Sequence, residues 1–125
     1  MSDKMKEKEG LFKNIKTLNF DMICENFAHD WDMFQFSLRV FKDNYLDSHK
    51  KLEEVVNHGE VEEIHRLIHS LKGAFNQVGA YDMGEYFLKL EIKASEGDVS
   101  YIKDELDTIK DKIQDLIKEI EELSE

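Results

Sequence analysis

The chain contains no proline in 125 residues, and along most of its length the apolar side chains recur at alternating spacings of three and four. Proline is the strongest helix breaker, because it removes an amide donor and clashes with the preceding turn. Apolar positions three and four apart fall on one stripe of an α-helix, the stripe that a helix buries. No stretch shows the sustained period-two alternation between turn residues that marks strands. An all-α chain is therefore expected.

Four long segments and one short one carry the pattern. The short helix spans about Phe20 to Phe27, with Asn19 as its N-cap, and a weaker amphipathic stretch precedes it around Leu11 to Leu18. Asp30 can cap a second helix whose stripe is Trp31, Phe34, Leu38, Phe41 and Tyr45. Leu52, Val55 and Val56 continue the same phase, so one long helix to about Asn57 is expected, with a bend near Asn44 to Ser48. The third runs from about Glu60 to Val78 on Ile64, Ile68, Leu71, Phe75 and Val78. The fourth runs from about Ala80 to Ser95 on Met83, Phe87, Leu90 and Ala94. Gly59, Gly79 and Gly97 supply the stops. The fifth follows Asp98 and buries Ile102, Leu106, Ile109, Ile113, Leu116, Ile120 and Leu123, a heptad. The connections between the last four are short, and short connections make sequential helices antiparallel. The expected architecture is an antiparallel up-down-up-down four-helix bundle with a short additional N-terminal helix. Residues 1–18 are expected as a charged, partly disordered flanking segment, and 19–125 as one bundle domain.

Charge narrows the function. Lysine and arginine number 17 against 28 acidic residues, a formal net charge of -11. Nucleic acids and anionic membranes both want a basic face, so neither is an expected partner. Cys24 is the single cysteine, which excludes an internal disulfide and a cysteine-based zinc site. No signal-like stretch and no long apolar run is present, so a cytoplasmic location is expected. The opening Met1 and charged stretch fit a free-standing protein.

The third helix carries the chemistry. His65, Arg66, His69, Lys72, Gly73 and Asn76 lie three and four residues apart, on a face turned away from the apolar stripe. His69 is thus expected to be exposed in mid-helix. Lys72, at i+3, can bring an ammonium to a negative group attached to the imidazole. Gly73, at i+4, costs about 1 kcal/mol relative to alanine in a helix interior, and clearing space beside His69 is a reason for it. A neutral imidazole is a competent nucleophile near neutral pH.

His69-Ser70-Leu71-Lys72-Gly73, followed by Gly79-Ala80, resembles the motif of histidine phosphotransfer (HPt) domains. Phe41 and Leu90-Glu91 also fall where members of that family place similar residues, and the resemblance extends from about Phe20 to Ile120. It implies a bundle with the active histidine on its second long helix, which accepts a phosphoryl group on the ring nitrogen farther from the backbone. It implies that Lys72 steadies the phosphoryl oxygens and that Gly73 grants access. Some members hold the nearer ring nitrogen with a glutamine on the following helix. The matching residue here is Glu91, a carboxylate that can accept the same hydrogen bond. Asn76 and Gln77 are expected as polar contacts at the partner surface. The implied partners are receiver domains of response regulators or hybrid histidine kinases, in two-component phosphorelays. The implied role is a carrier rather than an enzyme, with no cofactor of its own, the magnesium ion being held by the receiver domain. A monomer is expected.

Two rival readings have their own signatures. Glu62, His65 and His69 share one side of the helix, and a histidine pair at i, i+4 can bind zinc. The nearby Arg66 and Lys72 would repel a cation, so no metal is expected. A helical adaptor without covalent chemistry would bury His69, or would pair chains through the Ile102–Leu123 heptad.

Overall fold

The computed structural model describes residues 3–125; expectations that fall on Met1 and Ser2 lie outside it. In chain order the helices are α1 (Lys4–Glu7), a 3₁₀ turn (Glu9–Phe12), α2 (Phe20–Asn26), α3 (Trp31–Tyr45), α4 (Ser48–Asn57), α5 (Val61–Gln77), α6 (Tyr81–Ser95), α7 (Val99–Asp104) and α8 (Leu106–Leu123). No strand occurs among the described residues. The three capping residues named from the sequence act as caps. Asn19, Asp30 and Asp98 accept from the backbone N–H of Met22 (2.9 Å), Met33 (3.0 Å) and Tyr101 (3.1 Å).

The apolar stripes meet in one core. Trp31, Phe34, Leu38, Ile64, Ile68, Leu71, Phe75, Phe87, Leu90, Ile109, Ile113, Leu116 and Ile120 are all buried within it. Phe75 sits 4.8 Å from Phe87 and 5.9 Å from Phe41, ring centre to ring centre, which ties α3, α5 and α6 together. Aromatic pairs at such separations add stabilisation beyond their buried area. Contacts between side chains show α5 and α6 running antiparallel: His69 faces Glu91, and Asn76 faces Gly84. The α3–α4 arm runs antiparallel to α8 in the same way. Gln35 reaches Leu123 near the start of the arm, and His49 lies beside Ile117 and Lys110 farther along it.

The structure departs from the sequence reading in three places. The second helix is interrupted rather than merely bent. α3 ends at Tyr45, and α4 starts at Ser48 without a side-chain cap from Asp47. Asn44 donates its amide to the Val40 carbonyl (2.9 Å), a local bond of the kind that competes with the helical ladder. The fifth helix is broken at Glu105, whose N–H turns back to the Ile102 carbonyl in a tighter i→i+3 bond (3.1 Å). Its stripe keeps phase across the break, although Leu106 is only partly buried.

The third departure is the N-terminal segment, expected to be loose. Met5 is fully buried, and Phe12 and Leu18 join the same core. Met5 is a lone apolar anchor in a charged stretch, with no periodic partner to mark it. Phe12 packs on Trp31 and Phe34, with ring centres 6.3 and 6.2 Å apart. The segment is fastened at its far end by Glu119, which accepts the Lys16 and Thr17 N–H groups (3.0 and 2.7 Å). The other chain terminus is fastened nearby. Glu125 accepts from Trp31 Nε1 (2.9 Å) and pairs with Lys8 (3.3 Å). Gln35, itself buried, donates to the Leu123 carbonyl (2.8 Å) and accepts from the Glu125 N–H (3.0 Å).

Candidate functional site

α5 ends in a complete Schellman motif, which explains half of the motif found in the sequence. The Ala80 N–H bonds the Phe75 carbonyl (2.9 Å), and the Gly79 N–H bonds the Asn76 carbonyl (3.1 Å). Gly79 sits at φ +87°, a conformation that other residues resist, and a Cβ there would collide with Ile23 of α2. The neighbouring carbonyls of Asn76 and Gln77 are taken by the Asn26 amide (2.9 and 3.2 Å). Gly79 and Ala80 therefore terminate α5 and seat α2 against it. They do not approach His69 chemically.

His69 projects from the middle of α5, with its side chain 66% exposed. Its Nδ1 is hydrogen-bonded to Glu91 Oε2 on α6. The other carboxylate oxygen, Oε1, accepts from Lys72 Nζ at 2.8 Å. Glu91 and Lys72 are far less exposed than His69, at 14% and 21% of their side-chain surface. The Lys72 ammonium is the main influence holding the Glu91 carboxyl below its ordinary range; burial opposes it, and the His69 bond adds to the depression. An ionised carboxylate can only accept. In the neutral imidazole, Nδ1 must then carry the proton, which leaves the Nε2 lone pair free.

Gly73 faces open space: a Cβ placed there meets nothing within 4 Å. It lines a groove together with Phe36, Val40, His69, Ser70 and Gln77. The space beside His69 is therefore an opening to solvent. Gly84 on α6 is the opposite case, because it is buried and a Cβ there would collide with the Asn76 amide.

His69, Lys72 and Glu91 thus meet in one hydrogen-bonded cluster, and Gly73 and Gln77 border the adjoining groove. Asn76 does not join them: it is half-buried, and its amide lies over Gly84 in the α5–α6 interface. Phe36 and Val40, off the core stripe of α3, are exposed along the groove, as is Met33. A second exposed apolar ribbon, Tyr81, Leu88 and Ile92 on α6, was not foreseen. Its signal was present in the sequence, since all three fall outside the Met83–Phe87–Leu90–Ala94 stripe. His65, Arg66 and His69 line a second depression with Val61, Glu62 and Ser95. Among the described residues no group of three or more histidine, cysteine or acidic side chains is placed to hold a metal ion, and no helix is long and apolar enough to cross a membrane.

No curated protein and no solved structure shows significant similarity to the chain. The family model of the Hpt domain matches residues 37–123, well over half of the sequence and all of α4 to α8. That span contains the exposed histidine, the lysine and the open glycine just described. The chain belongs to the Hpt domain family, helical modules that carry phosphoryl groups on histidine in phosphorelays and interact with receiver domains.

Proposed function

We propose that the protein accepts a phosphoryl group on His69 Nε2 from the phosphoaspartate of a receiver domain, or from a histidine kinase, and passes it to the aspartate of another receiver. The supporting observation is that Glu91 occupies Nδ1 of an exposed imidazole and leaves Nε2 without a hydrogen-bond partner among the described residues, with the open flank of Gly73 one turn away. In the forward step the Nε2 lone pair attacks phosphorus. With a phosphoaspartate donor the N–P bond forms as the P–O bond breaks and the electron pair leaves with the carboxylate; with a kinase phosphohistidine the donor P–N bond breaks and the pair returns to the donor imidazole. Nδ1 keeps its proton on Glu91 throughout, so the ring delocalises positive charge toward a carboxylate positioned to receive it. Lys72 can turn from Glu91 to the incoming phosphoryl oxygens, a point charge suited to phosphate. The reverse sequence delivers the group onward. The protein works as a carrier, cytoplasmic and monomeric, and magnesium and the remaining catalytic groups belong to the receiver.

Intact mass spectrometry at neutral pH tests this, with the chain mixed with a phosphorylated receiver domain and magnesium. The expected result is a gain of one phosphoryl mass that is lost on mild acid treatment and absent in His69→Gln. A gain that persists in His69→Gln, or no gain from receivers and kinases of the same cell, would favour a helical adaptor without covalent chemistry.

A further inference from the structure

Of the 17 basic residues in the chain only two are arginines, Arg39 and Arg66, and each stands near one of the two depressions that His69 borders. Arg66 precedes His69 by three residues on α5 and lines the depression it shares with His65 and His69. Arg39 follows Phe36 by three residues on α3, and its guanidinium lies over the Phe36 ring, 5.9 Å from the ring centre. Phe36 in turn lines the groove on the other side of His69. His69 borders both depressions. Both arginines are exposed, and the ion pairs among the described residues all use lysines or histidines. Both guanidiniums therefore keep their donors free of internal acids, and Arg39 is steadied by an aromatic face rather than by an ion pair.

We propose that Arg39 and Arg66 form a two-sided clamp that recognises carboxylates bordering the phosphorylation site of the receiver domain. They would thereby set the orientation and choice of partner in phosphoryl transfer. The inference rests on the reading of His69 as the carrier. Its basis is charge complementarity. A chain of net charge -11 repels an acidic partner at long range, so arginines near His69 with no ion pair among the described residues favour the productive approach. Arginine suits the task better than lysine, because its planar fork meets a carboxylate through two parallel hydrogen bonds. Neither residue touches the His69–Glu91–Lys72 cluster through a hydrogen bond, so their effect falls on encounter rather than on the bond-making step.

The test measures initial rates of phosphoryl uptake against the concentration of an acetyl-phosphate-charged receiver domain, with magnesium, at low and high salt. Arg39→Glu, Arg66→Glu, their Lys counterparts and a distant control, Lys103→Glu, are compared with the parent chain, with circular dichroism to verify the fold. At low salt each arginine reversal is expected to raise the half-saturating concentration about tenfold, and each Arg→Lys change about threefold, with the rate at saturation nearly unchanged. High salt should shrink these differences. The control should shift by less than about twofold. Arginine reversals that behave like the Lys103 control would overturn the clamp while leaving the carrier reading intact, as would a loss confined to the saturated rate. No uptake by the parent chain would overturn the carrier reading and the clamp with it.

Discussion

Glu91 on α6 holds Nδ1 of His69 on α5 with one carboxylate oxygen and the Lys72 ammonium with the other. One half-buried acid thus fixes both the tautomer of the ring and the resting place of its cation. Glu91→Gln keeps an acceptor for Nδ1–H but releases Lys72, whereas Glu91→Ala removes both anchors. Transfer is expected to survive in Glu91→Gln and to slow about tenfold in Glu91→Ala, the equivalent of about 1.4 kcal/mol and within the worth of one hydrogen bond to a charged group. Single-turnover transfer rates check this. Equal rates in the two variants would remove the ring-holding role.

The acid side of the stability curve follows from the same contact. The folded carboxyl of Glu91 titrates below its ordinary value of 4.5, chiefly through Lys72. Its contribution is present in full above that ordinary value and is lost as the pH falls through the depressed one. Glu91→Gln should therefore lose stability relative to the parent at neutral pH, and the gap should close in strong acid. Urea unfolding of the two proteins across that range measures it.

Gly73 and Gly84 should respond in opposite ways to a methyl group. Gly73→Ala adds a Cβ in open space within regular helix, so it should stabilise by about 0.5–1 kcal/mol. A long side chain at the same position should leave stability nearly unchanged and slow transfer by obstructing the partner. Gly84→Ala must displace the Asn76 amide, which should cancel the helical gain or reverse it by about 1 kcal/mol. Pairing it with Asn76→Ala should restore the gain. Thermal melts of the four proteins and of the double variant decide it. Equal effects of alanine at the two glycines would contradict the packing described.

His49 is a buried ring at the start of α4, and its Nδ1 has no hydrogen-bond partner among the described residues. Burial holds its pKa below the ordinary 6.5; Lys110 of α8 and Lys50 push the same way, while Asp47 and Glu53 oppose them. The folded protein therefore binds this proton less readily than the unfolded chain. Stability is full above 6.5 and falls as the pH drops from there toward the lower folded value. His49→Phe should flatten the change in unfolding free energy between about pH 7.5 and pH 5.5. An undiminished slope in that variant would assign the effect to another group.

The features readable from the sequence are those that depend on periodicity. The stripes of α5, α6 and α8 placed Phe75, Phe87 and Ile113 in the core, and that placement left His69 on the opposite face of its helix. Asn19, Asp30 and Asp98 announced helix starts because their side-chain acceptors act locally. At Leu46–Asp47 the sequence pointed to a bend but not to a full break, and at Glu105 to neither, because the apolar phase runs through both and only individual backbone bonds differ. Met5 was missed because a single anchor in a charged stretch has no period. The Glu91 contact could be suggested by family resemblance alone, since it joins residues 22 positions apart on different helices. Asn76 shares the helical phase of His69, but its side chain turns its amide over Gly84 in the α6 seam, a choice that periodicity does not decide.

Trp31, the only tryptophan, sits where the segment around Phe12 meets Glu125: Phe12 lies against its ring, and its indole N–H is held by the Glu125 carboxylate. Its emission is thus a built-in gauge of terminal docking, independent of events at His69. A red shift that precedes the loss of helical signal during unfolding would reveal the chain ends peeling away first, and a shift that tracks it would show one cooperative unit. A tag appended after Glu125 would load this junction directly, whereas the phosphoryl-bearing face would remain untouched.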